Sequence, residues 1–296
     1  MPSFTDQLGR TITLDHPVHS PLRIVSLVPS QTELLYTLGL DSPSPSFEVV
    51  GITKFCIHPQ KWFRTKPRIG GTKDIRPEKI AALQPHLIIA NKEENVREQI
   101  ESLATRFPVW VSDIPDLAAA LDKIRSLGDV IGCPGQAQTL AGQIQKDFAA
   151  LVAIRPSPRT AYLIWRTGKP LSYRAAGRDT FIDDMLHRCG FTNVVDQPRY
   201  PVTDPAALAA AGCELVLLSS EPYPFRDKHR EELQTFLPKA TIRLVDGEMF
   251  SWYGSRLLHA PAYFRDLLHM PQPEQPAIAP NKISAYFNPN GTTRIP

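Results

Sequence analysis

The chain lacks most of the features that would assign it a chemistry outright. Its four cysteines, Cys56, Cys133, Cys189 and Cys213, are far apart and make no C-x-x-C pair. They read as reduced structural thiols, not as a disulfide frame or a zinc site. No stretch approaches the 18 or so apolar residues of a membrane span. The opening residues, MPSFTDQLGRTITLD, have neither a charged n-region nor an apolar h-region, so the expectation is a cytoplasmic protein, or a periplasmic one if the start is mis-called. No run of like charges appears and the net charge is only +3, which argues against a nucleic-acid partner. There is no G-x-S-x-G, no H-E-x-x-H and no phosphate loop. Proline is the one excess, 29 residues, roughly twice the usual frequency. Many prolines, among them Pro29, Pro77, Pro134, Pro205 and Pro261, stand at expected strand ends and helix starts.

What is present is βα alternation. Arg23 to Gly39, RIVSLVPSQTELLYTLG, reads as a buried strand running directly into a helix. Ser30 and Glu33 have the S-x-x-E spacing of a capping box, and Leu34, Leu35 and Leu38 form the inner stripe. Strands are expected at Val49 to Ile52, Leu87 to Ala90 and Val109 to Val111. Helices are expected at Pro77 to Leu83, from Asn91 onward, and at Leu117 to Leu127 behind an Asp113 or Asp116 cap. Between Cys133 and Ile154 there is no strand, which predicts one long connecting helix. Alternation then resumes with strands at Ala161 to Trp165, Leu215 to Ser219 and Ile242 to Val245. Helices follow at Thr180 to Arg188, Pro205 to Ala211 (capped by Asp204), His229 to Leu237 and Pro261 to Leu268.

The predicted fold class is therefore α/β: two Rossmann-like lobes with parallel sheets, joined by one long backbone helix, with a ligand cleft between the lobes. The expected boundaries are 1–130 for the first lobe, 131–156 for the helix, 157–270 for the second lobe and 271–296 for a Pro-rich tail.

Three segments, RIVSLVPSQTELLYTLG, GGTKDIRPEKIAALQPHLIIANKEEN and FSWYGSRLLHAPAYF, together resemble the helical-backbone (class III) substrate-binding proteins of ABC transporters. Vitamin B12-binding proteins and their iron-chelate relatives are the nearest in kind. The resemblance covers roughly Phe4 to Leu268. It implies a non-catalytic monomer with no cofactor of its own, holding a metal-bearing ligand for an ABC permease. A cobalamin or other corrinoid is the first expectation, with haem or a ferric siderophore as alternatives. The resemblance also implies a docking glutamate on each lobe. Glu78 matches the first, but Pro205 stands where the second belongs, and the adjacent Asp204 reads as a helix cap. That departure, with the unexported start, favours a cytoplasmic cofactor sensor or chaperone as the alternative to a transport receptor.

The turn at Pro29 and Ser30 lies at the carboxyl end of its strand, where open α/β sheets place ligands. Three segments are expected to join it. In TKFCIHPQKW, Lys54, Phe55, Cys56, His58 and Trp62 are candidates; His58 or Cys56 would supply an axial metal ligand, or be a turn histidine and a buried thiol. No full metal site is predicted, and catalysis by Cys56 with His58 is the minor alternative. In the second segment, Thr72, Lys73, Asn91 and Lys92 are candidates; the Asn91 amide would bond a ligand rim or cap the next helix. In the third, Trp165, Tyr173, Phe250, Trp252 and Tyr253 would stack on a flat ligand, and Arg166, Arg174 and Arg256 would pair with its carboxylates or phosphates. Arg256 would alternatively hold loop carbonyls.

Overall fold

The computed structural model describes residues 2–15, 20–39, 46–152, 156–168 and 170–269. The expected tail at 271–296 lies outside them, as does the end of the expected connecting helix at 153–155. The chain forms two compact units: Met1–Ala149 together with Trp252–Leu258, and the described residues within Ala150–Ser251 and His259–Pro296.

The first unit opens with a small antiparallel pair, β1 (Ser3–Thr5) and β2 (Thr11–Thr13). The main sheet follows: β3 (Leu22–Ser26), α1 (Pro29–Gly39), β4 (Phe47–Ile52), α2 (Gln60–Thr65), α3 (Pro77–Ala82), β5 (Leu87–Asn91), α4 (Arg97–Ala104) and β6 (Val109–Ser112). The strand order is β4-β3-β5-β6, and every pairing is parallel. Such strands are covered on both faces, which is why each is a short apolar run and not an alternating one. Ile24, Val25, Ile52, Ile88 and Ile89 are all essentially inaccessible. Each contributes about 1.5–3 kcal/mol of burial.

Two helices complete the unit, α5 (Leu117–Val130) and α6 (Pro134–Ala149). Asp116 caps α5, its carboxylate accepting from the Ala119 N–H at 2.8 Å. The helix expected to connect the lobes is α6. Its 16 residues span about 24 Å, and it packs along α5 as part of the first unit. Gly128 explains the closeness of the two helices, because a Cβ there would lie 2.2 Å from the Ala137 Cβ.

The second unit contains β7 (Arg159–Thr167), β8 (Ser172–Ala175), α7 (Phe181–Arg188), β9 (Thr192–Asn193), β10 (Val202–Thr203), α8 (Pro205–Ala210), β11 (Leu215–Ser219), α9 (Asp227–Phe236), β12 (Thr241–Val245), α10 (Glu248–Ser251) and α11 (Ala260–His269). Its sheet runs β10-β8-β7-β11-β12, with β9 beside the start of β7. The expected parallel sheet forms at β7, β11 and β12, and an antiparallel edge is added to it. β11 is parallel to β7 and β12, but β8 folds back antiparallel on β7, and β10 is antiparallel to β8. Only four residues separate β7 from β8, a short connection that antiparallel strands permit and parallel ones do not.

Three local readings also change. Helix α4 starts at Arg97, not at Asn91. Asn91 ends β5, and its side-chain oxygen accepts from the N–H groups of Glu93 and Glu94 at 2.8 and 3.0 Å, which holds NKEEN in a turn. Helix α2 stands between Ile52 and Pro77, where no element was expected. Ser30 and Glu33 do not form a capping box: Ser30 lies buried within the first turn of α1, and the Glu33 carboxylate is bound to Arg256.

Candidate site at the carboxyl edge of the first sheet

The carboxyl ends of β3, β5 and β6 carry buried polar groups. Ser26, Asn91 and Ser112 are the last residues of their strands, and each is 2% exposed or less. The Asn91 amide donates to the Ser112 carbonyl and hydroxyl at 3.2 and 3.1 Å, and Gln31 of α1 also donates to that hydroxyl. Asn91 therefore organises this edge in place of capping α4. Satisfying such groups internally is what allows them to be buried.

Cys56 lies beneath the edge. Its Sγ is 3.1 Å from the hydroxyls of both Thr32 and Thr53, and the side chain is wholly buried. Burial pushes its pKa up, more than the two hydroxyls lower it. Of the two readings of Cys56, its complete burial fits the structural thiol, and the site disfavours the reactive thiolate. His58 is half-buried, with its ring edge-on to Trp252 at 5.6 Å.

Trp252–Leu258, which sequence order places in the second lobe, belongs to the first unit. Four contacts seat it there. The Arg256 guanidinium stacks 4.7 Å from the Trp252 ring and makes a two-pronged pair with Glu33 at 2.6 and 3.1 Å. The Tyr253 hydroxyl donates to Glu94 Oε1 at 2.6 Å, and its ring covers Lys123 Nζ at 5.4 Å. Gly254 passes so close to α1 that a Cβ would sit 2.5 Å from the Ser30 carbonyl oxygen, so only glycine fits. Trp252 and Tyr253 are each only 6% exposed, and Arg256 already holds a carboxylate. Packing this segment onto α1 is the structural work of these residues.

The electrostatics of the network follow from burial. Lys123 is inaccessible and its pKa falls to about 7, burial outweighing the attraction of Glu94. Burial likewise raises Glu94, despite the Tyr253 hydrogen bond, and raises Tyr253, with the Glu94 charge adding to it. All three shifts favour the neutral forms, which avoids desolvating charge. Glu33, Glu94 and Lys123 were not singled out from sequence. Their partners lie 130 to 223 positions away, and no local spacing signals that.

Around this buried set stand the more accessible candidates. Lys54 lies over the Phe55 ring at 5.3 Å, and both are half-buried. The Thr72 carbonyl accepts from Asn95, Lys73 Nζ donates to the Glu93 carbonyl at 2.7 Å, and Lys92 pairs with Asp113 at 2.6 Å. Trp62 is half-buried beside Tyr36, and Pro29 is half-buried at the start of α1. Glu78 is exposed in the first turn of α3.

The second-unit candidates are placed differently from expectation. Phe250 is in the core, 5.0 Å from the Tyr162 ring and 4.7 Å from Phe264, and has no exposed surface to offer. Tyr173 is buried on β8 near Phe225. Arg166 makes two hydrogen bonds to Glu232, at 2.9 and 2.7 Å, and Arg174 donates to the Tyr200 carbonyl at 3.0 Å. Both guanidinium groups expected to pair with a ligand thus hold partners within the unit. Trp165 is half-buried against Tyr223. Asp204 caps α8 by accepting from Ala207 at 2.8 Å, with Pro205 at the first helical position.

A family model described as periplasmic binding protein matches residues 24–235. The chain belongs to that family. A vitamin B12-binding protein of Yersinia pestis (strain Pestoides F) is 28% identical over 191 residues. That match takes in 62% of this chain and 64% of the relative's length. Among solved structures, the periplasmic heme-binding protein BhuT in complex with two hemes aligns with a TM-score of 0.72 at 21% identity, covering 84% of this chain and 98% of that one. The vitamin B12-binding protein BtuF of Vibrio cholerae aligns at 0.65 and 19%, covering 84% and 98%. These likenesses establish the family and its two-lobed α/β fold, as the three sequence motifs had implied.

Proposed function

We propose that the chain is a non-catalytic binding protein for a metal-bearing macrocycle or chelate, serving an ABC-type uptake system. A corrinoid is the first choice, with haem or a ferric siderophore next. The observation that carries this reading is the family match, joined to the convergence of TKFCIHP, NKEEN and SWYGSR at one sheet edge. Strand carboxyl edges are where α/β proteins of this kind hold ligands. The half-buried His58, Lys54, Phe55, Trp62 and Thr72 and the exposed Lys73 are the contacts proposed there, with His58 the group suited to an axial position. Cys56, with its raised pKa and two hydroxyl neighbours, supports binding over catalysis.

Titrating purified protein with hydroxocobalamin, haemin and ferric siderophores, by visible absorption and thermal melting, tests the reading. A ligand at 100 times its Kd should add about 2.7 kcal/mol of stability. Absence of any saturable spectral or thermal response to all three would overturn it.

A second reading, a cytoplasmic cofactor sensor or chaperone, draws support from the second unit. There Asp204 and Pro205 build a helix start where a docking glutamate was expected. Fractionation against a periplasmic marker separates the two. Recovery with the periplasmic fraction would support the receptor, and recovery with cytosol the sensor.

A further inference from the structure

Between Glu48 and Asp74 the chain has no acidic residue, but it has six cations: Lys54, Lys61, Arg64, Lys66, Arg68 and Lys73. Because the whole chain carries only +3, the remainder is net acidic and the positive charge is concentrated here. The tract escapes a search for charge runs because aromatic and apolar residues separate its cations. Helix α2 is its centre, and no side chain of that helix is buried. Lys61 and Arg64 are exposed, and Trp62 and Phe63 are half-buried. Cations and rings also pack on one another, with Lys66 Nζ 6.0 Å from the Trp62 ring centroid and the Arg68 guanidinium 4.4 Å from that of Phe63. Trp62 in turn meets Tyr36 edge-on at 5.1 Å.

A helix with no fully buried side chain, which alternates guanidinium and ammonium groups with half-exposed indole and phenyl rings, has the composition of a membrane-surface contact. Lysine and arginine heads meet lipid phosphates while the rings settle at headgroup depth. No helix among the described residues is long and apolar enough to cross a membrane, so such contact would be peripheral. We propose that α2 and its flanking cations form a docking surface for an anionic phospholipid bilayer. It shares Lys54, Trp62 and Lys73 with the contacts proposed for the chelate, whereas Lys61, Arg64, Lys66 and Arg68 belong to it alone.

The test is co-sedimentation of the full chain with vesicles of phosphatidylglycerol and phosphatidylcholine in equal parts, against phosphatidylcholine alone. The proposal expects binding to the anionic vesicles only, and its loss at high salt. A double variant Lys61→Gln/Arg64→Gln should bind about 25-fold more weakly, at roughly fivefold per cation, whereas Arg97→Gln on α4 should bind as wild type. Vesicles should also blue-shift the tryptophan emission of the wild type more than that of Trp62→Phe, a readout that a merely structural role would not move. Equal binding to both vesicle types, no loss in the double variant, or displacement by millimolar inorganic phosphate would overturn the proposal. So would an identical emission shift in Trp62→Phe.

Discussion

The two units solve the same problem, closing an α/β sheet, with different materials. The first closes its carboxyl edge with polar groups: Ser26, Asn91 and Ser112 on the strands, Cys56 between two threonines, and Glu94, Tyr253 and Lys123 in one chain of contacts. The second packs rings. Tyr162, Phe250 and Phe264 form one group, and Tyr173, Tyr223, Phe225 and His229 another. A ring core gains stability directly from burial. A buried polar edge gains little net stability, because each hydrogen bond mostly replaces one made to water. It does fix orientation, as an unmade bond there is costly. The lesson is that the first unit's edge is built for positional definition and the second unit's core for adhesion.

Three experiments sharpen that contrast. The largest effect is expected in the ring core, where Phe250→Ala should cost about 3–5 kcal/mol in urea unfolding. A cost below about 1 kcal/mol would mean that Phe250 is not the core residue its contacts indicate.

Next is Lys123→Met, which should stabilise the protein. The folded pKa of Lys123 is about 7, below its ordinary 10.5. Below about pH 7 the amine is charged in both states, and folding carries the full penalty of burying that charge. That penalty shrinks as pH rises from about 7 and is gone above about 10.5. The gain from methionine should reach roughly 2–4 kcal/mol at pH 6 and fade toward pH 10, as read by urea unfolding across that range. A pH-independent difference would contradict the neutral-amine description.

The smallest effect compares the two arginine–glutamate pairs. The side chains of Arg256 and Glu33 are 14% and 20% exposed, while those of Arg166 and Glu232 are 23% and 36% exposed. Double-mutant cycles should give a coupling of about 1–2 kcal/mol for the first and, with solvent screening, about 0.5 kcal/mol for the second. Equal couplings would remove the distinction between an anchored segment and a surface pair.

The elements visible in the sequence were those specified locally. Asp116, Thr180 and Asp204 each accept a hydrogen bond from an N–H three residues on, a spacing readable without a structure. Buried strands such as Leu215–Ser219 were equally plain from their apolar runs. Long-range pairing was not legible. Glu33 had the right spacing for a capping box, but Arg256, 223 residues away, offers the carboxylate two charge-assisted bonds and wins. Asn91 looked like a helix start because N-caps and Asx turns use the same residue types. SWYGSR drew notice for its aromatics and arginine. Nothing in its order along the chain said that it folds with the first unit.

The seat proposed for the metal-bearing chelate is the carboxyl edge of the first sheet. Hydrogen exchange measured with and without hydroxocobalamin, haemin or a ferric siderophore tests it most directly. Whichever ligand binds should slow exchange at residues 53–58, 72–73 and 91–95, leaving the far side of that unit around α3 unchanged. Ligand binding with unchanged exchange across those three segments would contradict it.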